Sequence, residues 1–120
     1  MRKQKTPRKK LIEILDGLFS EFIRRRDKKC FICGGTTIFT HHIFGRKNMS
    51  VRWFPDNAIA LCWPHHRNLA HGDPLMFRRY LINVKGAIFL ENLEREANKV
   101  KKYSAEELEA LVLALKIKEG

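Results

Sequence analysis

Leu11, Ile12, Leu15, Leu18, Phe19, Phe22 and Ile23 recur at helical spacing with polar residues between them, which predicts an amphipathic helix from about Pro7 to Arg26. Thr6-Pro7 suits its start, because a threonine side chain can accept from a free first-turn N–H and proline fits that turn. Arg24, Arg25 and Arg26 close it at the negative pole of the helix dipole. Past residue 30 the pattern changes. Gly34-Gly35 marks a turn, Thr36 to Thr40 is β-prone, Gly45 to Ser50 reads as a polar loop, Pro55-Asp56-Asn57 as a second turn, and Ala58 to Leu61 as a short second strand. Helical character resumes at Pro64. Asp73-Pro74 repeats the cap-then-proline signal and opens a helix to Val84, before Gly86. A further helix runs from Ala87 to about Val100 with Ile88, Phe89, Leu93 and Ala97 facing inward. Ser104 and Glu107 form a capping box ahead of Leu108, Leu111, Val112 and Leu115 at helical spacing.

The order strand, loop, strand, helix, set among longer helices, predicts an α+β chain. One domain spans residues 1–120: a basic tail over 1–10, an N-terminal helical segment over 11–29, a strand-containing core over 30–74 and C-terminal helices over 75–120.

Charge narrows the partners. With 24 Lys+Arg against 13 Asp+Glu the formal net charge is +11, so polyanions are expected. The first ten residues carry no acid, and Arg24, Arg25, Arg26, Lys28 and Lys29 form a second basic cluster, both suited to tracking phosphates. No apolar stretch approaches the roughly 18 residues of a membrane span, and the first apolar run is broken by Glu13, Asp16, Gly17 and Glu21, unlike a signal peptide. A reducing cytoplasm and no membrane partner are therefore expected, with the three cysteines holding metal instead of forming disulfides.

Cys30-x-x-Cys33 and Cys62-x-x-His65 have the residue types and spacing of a tetrahedral structural Zn2+ site, each pair chelating from a tight turn. A redox role for the first pair lacks its βαβ context. His65 is the fourth ligand by spacing, with His66 and His71 as the alternatives.

Around these knuckles lie His41-His42, Asn57 and, immediately after the second knuckle, His66. Phosphodiester hydrolysis needs an activated water and stabilisation of developing negative charge, and a histidine base with a divalent cation can supply both. Neighbours on a strand point to opposite faces, so an irregular turn would be needed for His41 and His42 to serve one site.

The run His41-His42-Ile43, followed by Asn57 through Leu61-Cys62-Trp63-Pro64-His65-His66, resembles the HNH, or ββα-metal, endonucleases. His42-Ile43-Phe44-Gly45-Arg46 through Arg52-Trp53 to Asn57 further resembles the phage-type NinG-like recombination nucleases. The similarity covers roughly Cys30 to Pro74 and departs from the commoner pattern at His65, where many members carry a fourth cysteine. It implies a small ββα-metal core with a zinc knuckle, flanked by an N-terminal helix and about three C-terminal helices, that hydrolyses DNA. By the same resemblance His41 is the first catalytic-metal ligand, His42 the general base, His66 the second metal ligand, and Asn57 the residue that ties the loop to the frame and orients the base. The catalytic cation would be Mg2+ or Mn2+, with Ni2+ or Zn2+ also suited to two imidazoles.

Arg46, Lys47 and Arg52 lie in the loop after the histidine pair and are candidates for contact with DNA phosphate, Arg46 foremost. Trp53 and Phe54 are expected to pack the core, and His71 to serve a turn or to support a ligand from behind. The leucine stripe of the last helix is expected to be core, although it could also pair with its copy in a homodimer. The competing reading is a non-catalytic, zinc-stabilised basic DNA-binding module. A protein-binding adaptor leaves the charge unexplained.

Overall fold

The computed structural model describes residues 6–119, so Met1 to Lys5 of the expected basic tail lie outside the described residues. Helix α1 spans Pro7–Asp27, and Thr6 caps it by accepting from the Lys9 N–H at 3.2 Å. Arg8, Lys9 and Lys10 thus belong to its first turns and are not tail. The helix stops at Lys28, which takes the left-handed conformation at φ 64° and donates its N–H to the Arg24 carbonyl.

Strands β1, Phe39–His42, and β2, Ala58–Leu61, form a two-stranded antiparallel sheet in which His41 faces Ile59 and His42 faces Ala58. The strand expected over residues 36–40 is therefore displaced toward the C-terminus and takes in both histidines. The residues before it are held elsewhere: Cys30 N–H donates to the Gly35 carbonyl at 2.8 Å and Gly34 N–H to the Cys30 carbonyl at 2.9 Å, closing a knuckle.

After β2 the chain enters a π-helix, His65–His71, then α2, Pro74–Lys85, α3, Ala87–Ala97, and α4, Ala105–Glu119. Five helices and one small sheet make an α+β architecture among the described residues. Asp73 caps α2 through Met76 N–H, and Ser104 and Glu107 exchange reciprocal capping hydrogen bonds at 3.1 Å ahead of α4. Ile88, expected to face inward, is 73% exposed. Leu90, Leu93 and Ala97 form the buried stripe of α3, and Ile88 lies nearly opposite it on the helix wheel.

Two apolar clusters meet at β2. Leu15, Phe19 and Ile23 of α1 pack with Leu108 and Leu115 of α4, together with Trp53 and Ala58. Ile59 and Leu61 point the other way, into a cluster with Cys30, Ala70, Phe77, Leu81 and Leu90. A smaller group joins Val51 to Leu93 and Ala97. The leucine stripe of α4 is core, as expected, and is used within the chain. No helix among the described residues is long and apolar enough to cross a membrane.

Candidate functional site

Cys30, Cys33, Cys62 and His65 converge, with their ligand atoms within 4.8 Å of one another. The Cys33 and Cys62 sulfurs are 3.7 Å apart, and His65 Nδ1 lies 3.2 Å from the Cys62 sulfur and 3.6 Å from that of Cys30. A tetrahedron with Zn–S of about 2.3 Å has edges of about 3.8 Å, so the donor set fits zinc and is far too open for a disulfide. Burial opposes ionisation of Cys30, but the backbone N–H groups of Cys62, Cys33 and Ile32 and the His65 ring outweigh it and bring the thiol down to about 6. Burial raises the Cys62 thiol, and the neighbouring sulfurs of Cys33 and Cys30 add to that rise against the lowering by the His65 N–H. Crowded sulfurs of this kind are relieved by a shared cation. The fourth member is His65, not His66 or His71.

His66 belongs to a second group with His41 and His71, also within 4.8 Å in their ligand atoms. The ring centroids of His41 lie 5.1 Å from those of both His66 and His71, and the Nε2 atoms of His66 and His71 are 3.1 Å apart. A divalent cation with metal–nitrogen bonds of about 2.0–2.1 Å brings neighbouring ligand nitrogens to roughly this separation. His66 Nδ1 is buried and, among the described residues, has no hydrogen-bond partner, a costly condition for an imidazole nitrogen unless something completes it. Burial pushes His41 down to about 3, with repulsion from His66, His71 and His42 adding to the effect. Burial and then His71 likewise lower His66. Neutral imidazoles with free lone pairs are the form that binds metal.

The π-helix explains how His71 joins. Residues five apart do not share a face of an α-helix, but in a π-helix the i and i+5 positions stand one turn apart. The wide turn ends at Gly72, where an added Cβ would lie 2.5 Å from the Asn68 carbonyl oxygen. His71, expected to serve a turn or to support a ligand from behind, instead joins the histidine group itself, and its five-residue spacing from His66 is the signal in the sequence that fits this.

His41 and His42 diverge as strand neighbours do. His42 packs its ring on Phe19 at 5.6 Å, and its Nε2–H donates to the Arg52 carbonyl at 3.0 Å. A carbonyl can only accept, so the proton is on Nε2 and Nδ1 keeps a lone pair. Burial lowers the His42 pKa; the Arg52 carbonyl and Asp16 work against this, and the Arg46 and Arg52 charges with it. His42 still reaches the cleft of about 250 Å³ that Thr40, His41, Gly45, Arg46, His66 and His71 also line. An apolar recess of about 380 Å³ adjoins this cleft, walled by Phe44, Phe77 and Leu81, with Arg78 at its lining.

Arg52, expected on phosphate, is otherwise engaged: its guanidinium donates to both Asp16 oxygens, at 3.0 and 2.6 Å, and the pair is largely buried. Its part in the cleft is the carbonyl that holds His42. Trp53 also serves Asp16, donating its indole N–H at 2.9 Å. Arg46 lines the histidine cleft, while Lys47 faces a separate basic hollow with Lys99 and Lys101. Asn57 is fully buried; its Oδ1 accepts from Phe44 N–H at 2.8 Å, and its Nδ2 donates to the carbonyls of Phe44 at 2.9 Å and Val51 at 3.1 Å. It ties the loop after the histidine pair to the start of β2.

The family model of the bacteriophage lambda NinG protein matches residues 1–119. The chain belongs to the NinG family. No curated protein and no solved structure matches it significantly. In this NinG-family chain the match also covers α1 and the C-terminal helices, on which the motifs read from the sequence did not fall.

Proposed function

We propose that this NinG-family chain is a metal-dependent HNH endonuclease that hydrolyses DNA phosphodiester bonds. The observation that carries the reading is the partition of His65 and His66 between two donor groups, one of structural type and one lining a cleft with a neutral histidine beside it. The order of β1, β2 and the π-helix His65–His71 supports this reading, since it is compatible with a ββα arrangement.

Cys30, Cys33, Cys62 and His65 would hold Zn2+, which would tie the start of the π-helix to the knuckle after α1 and so help position His66 without entering the chemistry. His41, His66 and His71 would hold the catalytic cation, which would polarise the phosphate and stabilise its developing charge. Three imidazoles favour Mn2+, Ni2+ or Zn2+ over Mg2+ on grounds of softness. His42 takes the proton of the attacking water at Nδ1, its ring fixed by the Arg52 carbonyl and Phe19. Arg46 at the cleft adds positive charge near the scissile phosphate.

The test is plasmid cleavage by the intact chain with added Mg2+ or Mn2+. Metal-dependent nicking that falls by about 10²–10⁴-fold in His42→Ala is expected. Absence of cleavage with every cation, or full activity in His42→Ala, would sink the reading. A binding module alone would hold DNA in a salt-sensitive manner and be indifferent to that substitution.

A further inference from the structure

Trp63 lies between two members of the cysteine group, Cys62 and His65, at a position where metal binding asks for no bulky side chain. It is 52% exposed, whereas the chain's other tryptophan, Trp53, is 7% exposed. Phe39, itself 42% exposed, meets the Trp63 ring edge-on at 5.7 Å, and the far neighbour of the indole is His66 at 6.0 Å. An exposed aromatic pair thus adjoins His66, a residue that lines the histidine cleft.

We propose that Trp63, propped by Phe39, is a stacking platform for an unpaired nucleobase of the strand whose phosphate lies in the histidine cleft. This rests on the nucleic-acid reading above. Three observations select that occupant over an apolar protein surface. The net charge of +11 favours a polyanion, and basic surface combined with exposed aromatic rings is how sequence-tolerant single-strand binding is built. The ring contact with His66 puts the indole next to the cleft, so a strand with a phosphate there has a base within reach. The backbone that carries the indole is also held: Cys62 before it and His65 two residues after it belong to the cysteine group, and His66 N–H donates to the Cys62 carbonyl at 2.8 Å. Little ordering entropy is lost when a base lands on it. In a continuous duplex both faces of each base are already covered, so the platform discriminates in favour of DNA that presents an unpaired base.

Intrinsic fluorescence tests this without cleavage. The intact chain, zinc-loaded and free of other cations, is titrated with a short oligothymidylate and with an abasic deoxyribose-phosphate oligomer of equal length. Trp53 is enclosed by Asp16 and Tyr103, so a change on binding reports Trp63. Quenching by the thymidylate and not by the abasic strand is expected, absent from Trp63→Phe. Trp63→Ala should weaken thymidylate binding about ten-fold and leave abasic binding unchanged, with Trp63→Phe intermediate. Equal quenching by both strands, or unchanged thymidylate affinity in Trp63→Ala, overturns the proposal. So does self-association that buries Trp63 without DNA and disappears in Trp63→Ala. Quenching by thymidylate in a protein that cuts nothing would leave the platform standing while the nuclease reading fails. Cleavage without quenching would do the reverse.

Discussion

His65 and His66 are adjacent in sequence yet belong to different donor groups, His65 with the three cysteines and His66 with His41 and His71. Replacing them should therefore have different effects. His65→Ala is expected to lose structural zinc and most of the folding stability, since such sites contribute about 10–16 kcal/mol of metal binding in small domains. His66→Ala should retain one zinc and a near-normal thermal transition while cleavage is lost. Zinc stoichiometry and circular-dichroism melts of the two variants check this.

Asp16 accepts from Arg52 and Trp53 and so fixes the segment whose carbonyl orients His42. Asp16→Asn should cost about 1–3 kcal/mol. It should also lower kcat, with DNA affinity nearly unchanged. Urea midpoints and single-turnover rates measure the two effects.

The same carboxylate sets an acid limit. Burial works to raise its pKa, but hydrogen bonds from Arg52 and Trp53 and the charges of Arg52 and Arg46 outweigh it and hold the group below its ordinary 3.8. A carboxyl lowered in the folded state contributes stability that is complete above its unfolded pKa and disappears as pH falls through the folded one. Stability measured across the region below about pH 4 should fall less steeply in Asp16→Asn than in the parent chain.

Gly72 closes the π-helix against the Asn68 carbonyl. Gly72→Ala forces that backbone apart and should cost about 1–3 kcal/mol. It should also weaken Mn2+ binding at the histidine cleft, because His71 moves with the turn. Gly17→Ala, on α1 with open space around its Cβ position, is the control and should stabilise by up to about 1 kcal/mol.

Asn57 makes three side-chain hydrogen bonds from a fully buried position. Asn57→Ala leaves the Phe44 N–H and two carbonyls without their partner and should cost about 2–4 kcal/mol. Hydrogen exchange should rise first over residues 43–52.

The helices and the cysteine group were legible because their signals are local: apolar spacing, Thr6 and Ser104 caps, and paired ligands with two residues between them. The direction of each histidine was less so. Whether His41 and His42 could share a cleft depends on register with Ile59 and Ala58, which residue order does not state. Arg52 looked free for phosphate because Asp16, its partner, lies on a different element of the chain. Ile88 was misplaced because a helical repeat can be drawn through more than one stripe, and only packing against Val51 and the neighbouring helix chooses between them. His71 was expected at a turn or behind a ligand, and its place beside His66 depends on the wide turn the backbone takes over His65–His71, which residue order does not state.

β2 has no exposed face, with Ala58 in one apolar cluster and Ile59 and Leu61 in the other. A strand shared in this way couples the unfolding of the two halves. The α1–α4 pair cannot detach without stripping one side of β2, and with it the hairpin that carries both histidines. The amides of β2 should therefore exchange only through global opening, and the last helix, remote from the cleft in sequence, belongs to the same cooperative unit as the site.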